Sequence, residues 1–165
     1  MRLSPPSTQV ALAACCLVAL AGCASARPAP SPSPDAVQAE IRGALQRFDE
    51  ATGRGDVVGA LAQFDDQADI LLVGSDRGEV YKGRAAMEKW LGALMKKSGF
   101  SWQMDRVEIG SNGDTAWAFV EGTMKVTDLA GTPRGSTPYR FTAVLVRRGP
   151  VWAWRLFHGS VPGGH

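Results

Sequence analysis

The sequence is poor in the side chains that most often carry out chemistry. Its three cysteines, Cys15, Cys16 and Cys23, lie near the N-terminus, so no thiol is present from residue 24 onward. It has two histidines, His158 and His165, which are too few for a His-based zinc site. We therefore expect no metal, no cofactor, no disulfide and no cysteine nucleophile in the folded domain.

Neither positive nor negative charge is in large excess. The 18 basic and 16 acidic residues give a formal net charge of +2, and no basic cluster is longer than the pairs Lys96-Lys97 and Arg147-Arg148. Proteins that bind nucleic acids usually carry a basic patch or stripe. The chain is 45% hydrophobic and 21% charged, which is typical of a globular domain. We therefore expect no nucleic-acid partner.

The first 22 residues resemble a bacterial lipoprotein signal peptide. Arg2 is followed by an apolar stretch at 10–20 and then by Leu20-Ala21-Gly22-Cys23. The apolar stretch is too short to span a bilayer, and the small residues before Cys23 suit signal cleavage. The resemblance implies cleavage before Cys23 and acylation of Cys23, with palmitate-like chains holding the protein on a lipid bilayer. An ordinary secretory signal or an uncleaved segment is the alternative.

The predicted location is the bacterial cell envelope. The residue after Cys23 is Ala24 and not aspartate, which by resemblance to known sorting rules favours the outer membrane or outer surface over the inner membrane. Four alternating prolines within residues 23–34 predict an extended tether. The folded domain is expected at 35–162, followed by a short tail at 163–165.

The domain begins with a helical pattern. Asp35 is expected to cap a first helix that ends at Gly53-Arg54-Gly55, and Asp56 to cap a second. A buried strand at 70–73 and a return strand precede a third helix, which follows Lys82-Gly83-Arg84. The acidic residues of the intervening loop, Asp65, Asp66 and Asp69, are interpreted as a solvent-exposed turn.

Strands dominate the rest of the chain. The pattern predicts strands at 100–109, 115–127, 139–147 and 151–161, with a looser loop from 128 to 137. Helices followed by a long meander of strands indicate an α+β domain with helices on one face of the sheet.

The closing segment, Trp-x-x-x-x-Phe-His-x-Ser-x-Pro at 152–162, completes a resemblance to the SnoaL-like, nuclear transport factor 2-like superfamily. The other parts are the helix pair joined by Gly55-Asp56, the strand after Asp65-Asp66-Gln67-Ala68, and Lys82-Gly83-Arg84. The closing segment also looks like the association domain of calmodulin-dependent kinase II. The resemblance covers roughly residues 37–162.

The resemblance implies a cone: a strongly curved sheet, closed by about three helices, that encloses a pocket and often dimerises through its outer face. We therefore expect a homodimer. The superfamily includes isomerases, hydrolases, dehydratases and noncatalytic modules, and fold alone does not choose among them. Comparison with ketosteroid isomerases places Leu72 at the proton-abstracting carboxylate, Phe48 at the oxyanion tyrosine, and Tyr139 or Arg140 near the second oxyanion acid. The base and the donors that steroid isomerisation requires are therefore not at the expected positions.

The last strand suggests where a pocket wall lies. Strict alternation would put Trp152, Trp154, Leu156, His158 and Ser160 on one face. If the last hairpin turns through residues 149–151, His158 pairs with Thr142 and Ser160 with Arg140, whereas a two-residue turn would break this register. His158 could act as a general base or hydrogen-bond donor, or simply stabilise the strand end.

Other candidates come from the neighbouring strands. Glu121 could share proton transfer with His158, or form an ion pair with Arg140. Arg140 could bind a carboxylate on a ligand. The predicted site residues are His158 and Glu121 as catalytic candidates, with Trp117, Arg140, Thr142 and Trp154 as ligand-binding candidates.

These patterns allow three functions. The first is binding of a small, largely apolar ligand or a partner without turnover. The second is an isomerase, hydrolase or lyase that uses His158 and Glu121. The third is a dimerising structural module without an open pocket. A cavity with both side chains pointing into it would favour the first two.

Overall fold

The computed structural model describes residues 33–163. They form three helices and six strands: α1 (Pro34–Gly53), α2 (Val57–Leu61), β1 (Leu71–Val73), β2 (Val80–Lys82), α3 (Arg84–Leu94), β3 (Ser98–Asn112), β4 (Thr115–Asp128), β5 (Pro133–Arg148) and β6 (Val151–Ser160). No helix within this range is both long and apolar enough to cross a membrane.

The strands form one mixed sheet in the order β2-β1-β6-β5-β4-β3. The predicted meander from β3 to β6 is confirmed, with antiparallel pairing throughout. β1 pairs parallel with β6 and antiparallel with β2. The α+β class and the curved, helix-closed sheet are therefore as the sequence predicts.

Helix α1 packs its apolar stripe against the inner face of the sheet. Ile41, Leu45 and Phe48 recur at helical spacing and are buried, so burial of this stripe holds the helix in place. The helix begins slightly earlier than predicted, because Ser33 and not Asp35 is the cap: its side chain accepts a hydrogen bond from the backbone N–H of Ala36. Pro34 then occupies the first turn, where its missing N–H costs nothing.

Strand β5 starts earlier than predicted, at Pro133 and not near Tyr139. Prolines at 133 and 138 argued against a strand because proline cannot donate to a ladder. The register explains why they are tolerated. Pairing between β5 and β6 begins only at Arg140, so the first part of β5 has β4 as its one neighbour and behaves as an edge strand.

A β-bulge at Arg155 decides which side chains of β6 face inward. Leu145 pairs with Trp154 and Val144 with Leu156, so Arg155 is the extra residue. An extra residue reverses the alternation beyond it. Trp152 and Trp154 are buried on the inner face, and after the bulge Phe157 is buried while His158 is exposed. The predicted alternation is therefore wrong beyond Trp154.

The predicted register is nevertheless confirmed at its far end, where Thr142 pairs with His158 and Arg140 with Ser160. Arg148 pairs with Val151, so the hairpin has a two-residue turn. By itself, such a turn would shift the predicted register by one residue. The bulge adds back the one residue that the shorter turn removes. The shorter turn and the bulge therefore restore the predicted residue pairs, but the bulge still reverses which side chains face inward.

Asp65 holds the bulge in place. Its side chain accepts two hydrogen bonds from Arg148, at 3.0 and 2.8 Å, and one from Arg155 at 2.9 Å. Arg155 also pairs with Asp69. The prediction of an exposed turn is wrong for Asp65, which is only 3% exposed. A buried carboxylate must be paired, and here its partners lie far along the chain.

Candidate functional site

A cavity of about 180 Å³ lies between the helices and the inner face of the sheet. Its wall is mostly apolar and includes six aromatic residues: Phe48, Trp90, Phe100, Trp102, Tyr139 and Phe157. An apolar pocket with a few polar groups is the usual form of a small-molecule site. The volume is at the small end of such sites, since an apolar cavity of about 150 Å³ accommodates benzene.

Four of the six rings form one packed cluster: Phe48, Trp102, Tyr139 and Phe157. Phe48 stacks on Trp102 with ring centroids 6.0 Å apart, and Phe157 lies 5.8 Å from Phe48. Helix α1 is tied to β3 behind this wall, where Asp49 accepts a 2.6 Å hydrogen bond from the backbone N–H of Trp102. The wall is therefore largely preformed.

Polar groups gather at one end of the cavity. Tyr139, on β5, meets the loop after β1, which contributes Ser75, Asp76 and Glu79 to the lining. Burial raises the pKa of the Tyr139 hydroxyl, contact with the Ser75 side chain opposes this rise, and the negative charges of Glu79 and Asp76 add to it. Ser75 and Asp76 are exposed, so the cavity reaches solvent here.

Two glycines make room for this polar end. A Cβ at Gly159 would lie 1.9 Å from the Tyr139 hydroxyl oxygen, and a Cβ at Gly74 would lie 2.0 Å from Glu79 Oε2. The Glu79 carboxylate also accepts a 3.0 Å hydrogen bond from the backbone N–H of Asp76. The absence of a side chain at each glycine thus allows Tyr139 and Glu79 to take these positions.

Five of the six predicted site residues lie together on the outer face of the sheet, opposite the cavity. Trp117, Glu121, Arg140, Thr142 and His158 follow one another across β4, β5 and β6. None of them lines the cavity. The physical reason for His158 is the bulge at Arg155, which turns Phe157 inward in its place.

These outer residues do not form the predicted acid-base pair. Glu121 lies opposite Arg140, and His158 lies opposite Thr142. Glu121 and His158 are therefore two strands apart, on the order of 10 Å at the backbone. Arg140 donates a 3.2 Å hydrogen bond to Ser160, and among residues 33–163 no ion pair joins it to Glu121.

The sixth candidate, Trp154, faces inward but belongs to the core. It is 0% exposed and packs 4.7 Å from Phe48, measured between ring centroids. Its backbone N–H donates to Gln63 and its carbonyl accepts from Asp65. Trp154 therefore supports the aromatic wall from behind and is not one of the cavity-lining residues.

The cavity-lining polar residues were not among the sequence candidates. Tyr139 is compared only approximately with an oxyanion acid, and Ser75, Asp76 and Glu79, which follow the predicted strand at 70–73, have no predicted role. One signal did point here. Of the positions compared with ketosteroid isomerases, Leu72, Phe48 and Tyr139 line the cavity, whereas Arg140 lies on the outer face.

The described residues contain no group of three or more His, Cys, Asp or Glu side chains arranged to hold a metal ion.

The sequence matches a SnoaL-like domain family over residues 41–163. The chain therefore belongs to the SnoaL-like domain family. A search of curated proteins gives no match.

Several solved structures share the fold. A proposed dehydratase of the NTF2-like family from Streptomyces avermitilis is 20% identical, with a TM-score of 0.71, covering 80% of this chain and 100% of its own. An NTF2-like superfamily protein from Salmonella enterica serovar Typhimurium is 17% identical, with a TM-score of 0.68, covering 80% and 95%. A proposed calcium/calmodulin-dependent protein kinase II association domain from Xanthomonas campestris is 18% identical, with a TM-score of 0.64, covering 76% and 88%. At these identities the likeness establishes the NTF2-like fold.

Proposed function

We propose that this protein is a lipid-anchored envelope protein whose SnoaL-like domain binds a small, largely apolar molecule without turning it over. The observation that carries the proposal is the cavity of about 180 Å³ with its aromatic wall. Its size suits a ligand with a single ring and a short substituent. Burial of such a ligand contributes about 25 cal/mol per Å² of apolar surface.

The binding experiment uses benzyl alcohol as a probe, followed by NMR chemical-shift titration of the domain. Met124→Trp should fill part of the cavity, because Met124 is one of its lining residues, and should weaken binding at least tenfold. Val58→Trp is the matched control, since Val58 is 78% exposed on α2 and does not line the cavity. Equal binding of the probe to both variants would contradict the proposal.

The lipid anchor rests on the residues preceding the domain, which lie outside the described range. We expect metabolic labelling with an alkynyl fatty acid to modify the full chain, and Cys23→Ala to abolish the label and release the protein from the membrane fraction. Labelling that persists in Cys23→Ala would contradict the anchor. Separation of the inner and outer membranes would test the expected outer location.

A homodimer through the outer face of the sheet is part of the same proposal. Trp117 is 49% exposed on this face and neighbours Val144, while Arg140 and Glu121 lie opposite each other nearby. A two-fold interface would bury the apolar groups against their own copies. Trp117→Ser should shift the mass measured by light scattering from dimer to monomer, and Val58→Ser should not. A parent domain that is monomeric at high concentration would refute this assembly.

Catalysis by His158 and Glu121 is the weaker alternative. Both groups lie on the outer face and too far apart to share a proton directly, so a substrate would have to bind across that surface. Native mass spectrometry of the purified domain would report the subunit number and any copurified molecule together. Turnover of that molecule, lost in His158→Ala with binding retained, would favour the enzyme.

A further inference from the structure

We propose that the cavity selects small organic cations: an aromatic or apolar body that carries a protonated amine. This inference rests on the proposed ligand-binding function and names its ligand class. It follows from two observations, the sign of the charge at the polar end of the cavity and the aromatic character of the rest.

All the charge on the cavity wall is negative. Asp76 and Glu79 are its two ionisable acids, and no lysine, arginine or histidine of the described chain lines it. None of the ion pairs within residues 33–163 uses either carboxylate. Buried Asp65 is neutralised by two arginines, whereas within residues 33–163 neither Asp76 nor Glu79 has an ion-pair partner.

Both carboxylates lie at the polar end of the cavity, beside the buried side chain of Tyr139. Their charges influence the hydroxyl of Tyr139, which is only 6% exposed. The Glu79 carboxylate is folded back over Gly74 and held by the Asp76 N–H. An ammonium group at this end would meet fixed negative charge in a partly desolvated place, where an ion pair is stronger than at an open surface.

The aromatic wall favours the same ligand. Ring faces attract cations through their quadrupole, and Trp is the strongest of them. Trp90, on α3, and Trp102, on β3, both line the cavity, and the Phe48 ring stacks on Trp102. An anion would be repelled by Asp76 and Glu79. No cationic side chain of the described residues lines the cavity to bind it.

The test compares three probes of one shape: benzylammonium, benzyl alcohol and benzoate, titrated at pH 7 and low salt by NMR. We expect benzylammonium to bind roughly tenfold more tightly than benzyl alcohol, and benzoate to bind more weakly than either. The double variant Asp76→Asn with Glu79→Gln keeps the shape and the hydrogen-bond acceptors, and should bring the ammonium and the alcohol within a factor of about two to three of each other. Glu88→Gln, an exposed acid on α3 outside the cavity, should leave the preference unchanged.

The outcomes separate the two proposals. Equal affinity of the parent domain for benzylammonium and benzyl alcohol overturns charge selection and leaves ligand binding intact. Binding of none of the three probes overturns the proposed function itself. Equal weakening of alcohol and ammonium in the double variant would mean that the acids maintain the shape of the cavity, which also overturns charge selection. Loss of the preference in Glu88→Gln would attribute it to overall charge and not to this site.

Discussion

Replacement of Asp65 by Asn should destabilise the domain more than any other single change of charge in the loop before β1. The carboxylate receives three hydrogen bonds from Arg148 and Arg155, and its side chain is 1% exposed. Removal of one partner from a buried ion pair costs about 3–5 kcal/mol. The side chains of Arg148 and Arg155 are 48% and 23% exposed, so both can regain water, and we expect a loss of about 2–3 kcal/mol.

The same contacts predict how stability depends on pH. Hydrogen bonds from Arg148 and from Arg155 hold the pKa of Asp65 well below its usual range, against the opposing cost of burial. The unfolded value is about 3.9, so the folded state binds this proton less readily than the unfolded state. The stability that Asp65 contributes is complete above that value and is lost as the pH falls from it toward the lower folded value. Asp65→Asn should lack this part of the acid dependence.

Thermal unfolding followed by circular dichroism at pH 7 and at pH 3 checks both expectations. At pH 7 the melting temperature of Asp65→Asn should fall by roughly 6–12 °C, and the gap to the parent should narrow at pH 3. Asp66→Asn is the matched control, because Asp66 is the exposed neighbour of the same charge. An Asp65→Asn variant that melts within about 2 °C of the parent at pH 7 would refute the role assigned to this ion-pair network.

Substitutions at two further positions test the packing around the cavity and the tie between α1 and β3. Gly159→Ala should displace Tyr139, because the added Cβ would lie 1.9 Å from the Tyr139 hydroxyl oxygen. We expect the free energy of unfolding, measured in urea, to fall by about 1–3 kcal/mol, and probe binding to change. An unchanged urea midpoint would contradict this. Burial raises the pKa of Asp49, so the parent domain loses stability as the pH rises through the pKa of Asp49 in the folded state. Asp49→Asn removes the charge and should preserve or raise stability at pH 7. Asn still accepts from the Trp102 N–H, whereas Asp49→Ala leaves that donor unpaired and should cost about 1–3 kcal/mol. Equal stability of the Asn and Ala variants at pH 7 would count against this account.

Local patterns predicted the elements well, and for a clear reason. The apolar spacing of α1, the Asp56 cap of α2 and the long runs of β-branched and aromatic residues in β4 and β5 all act within a few residues of sequence. Asp56 does accept from the Gly59 N–H, at 2.8 Å. The order and pairing of β3 to β6 follow from short turns between neighbouring strands, so the sequence predicts them as well.

The direction of the side chains at the end of β6 could not be predicted, because it depends on contacts far along the chain. The bulge at Arg155 is fixed by Asp65, 90 residues away in sequence, and nothing around Arg155 marks it as an extra residue. One such residue moved His158 to the outer face and Phe157 into the cavity. The polar end of the cavity was missed for a related reason, since Tyr139 and Glu79 meet only after β1 and β5 join the same sheet.

The central position of β6 has a consequence for the order of folding. This strand is the last to appear along the chain, yet it lies between β1 and β5, so the β1–β2 hairpin and the β3–β5 meander have no direct pairing until it arrives. Pairing of β1 with β6 closes a loop that contains all the elements between them, and this is slow compared with the formation of hairpins. Docking of β6 between β1 and β5 should therefore be a late step of folding, and until it occurs neither the loop that carries Glu79 nor the strand that carries Tyr139 has its partner.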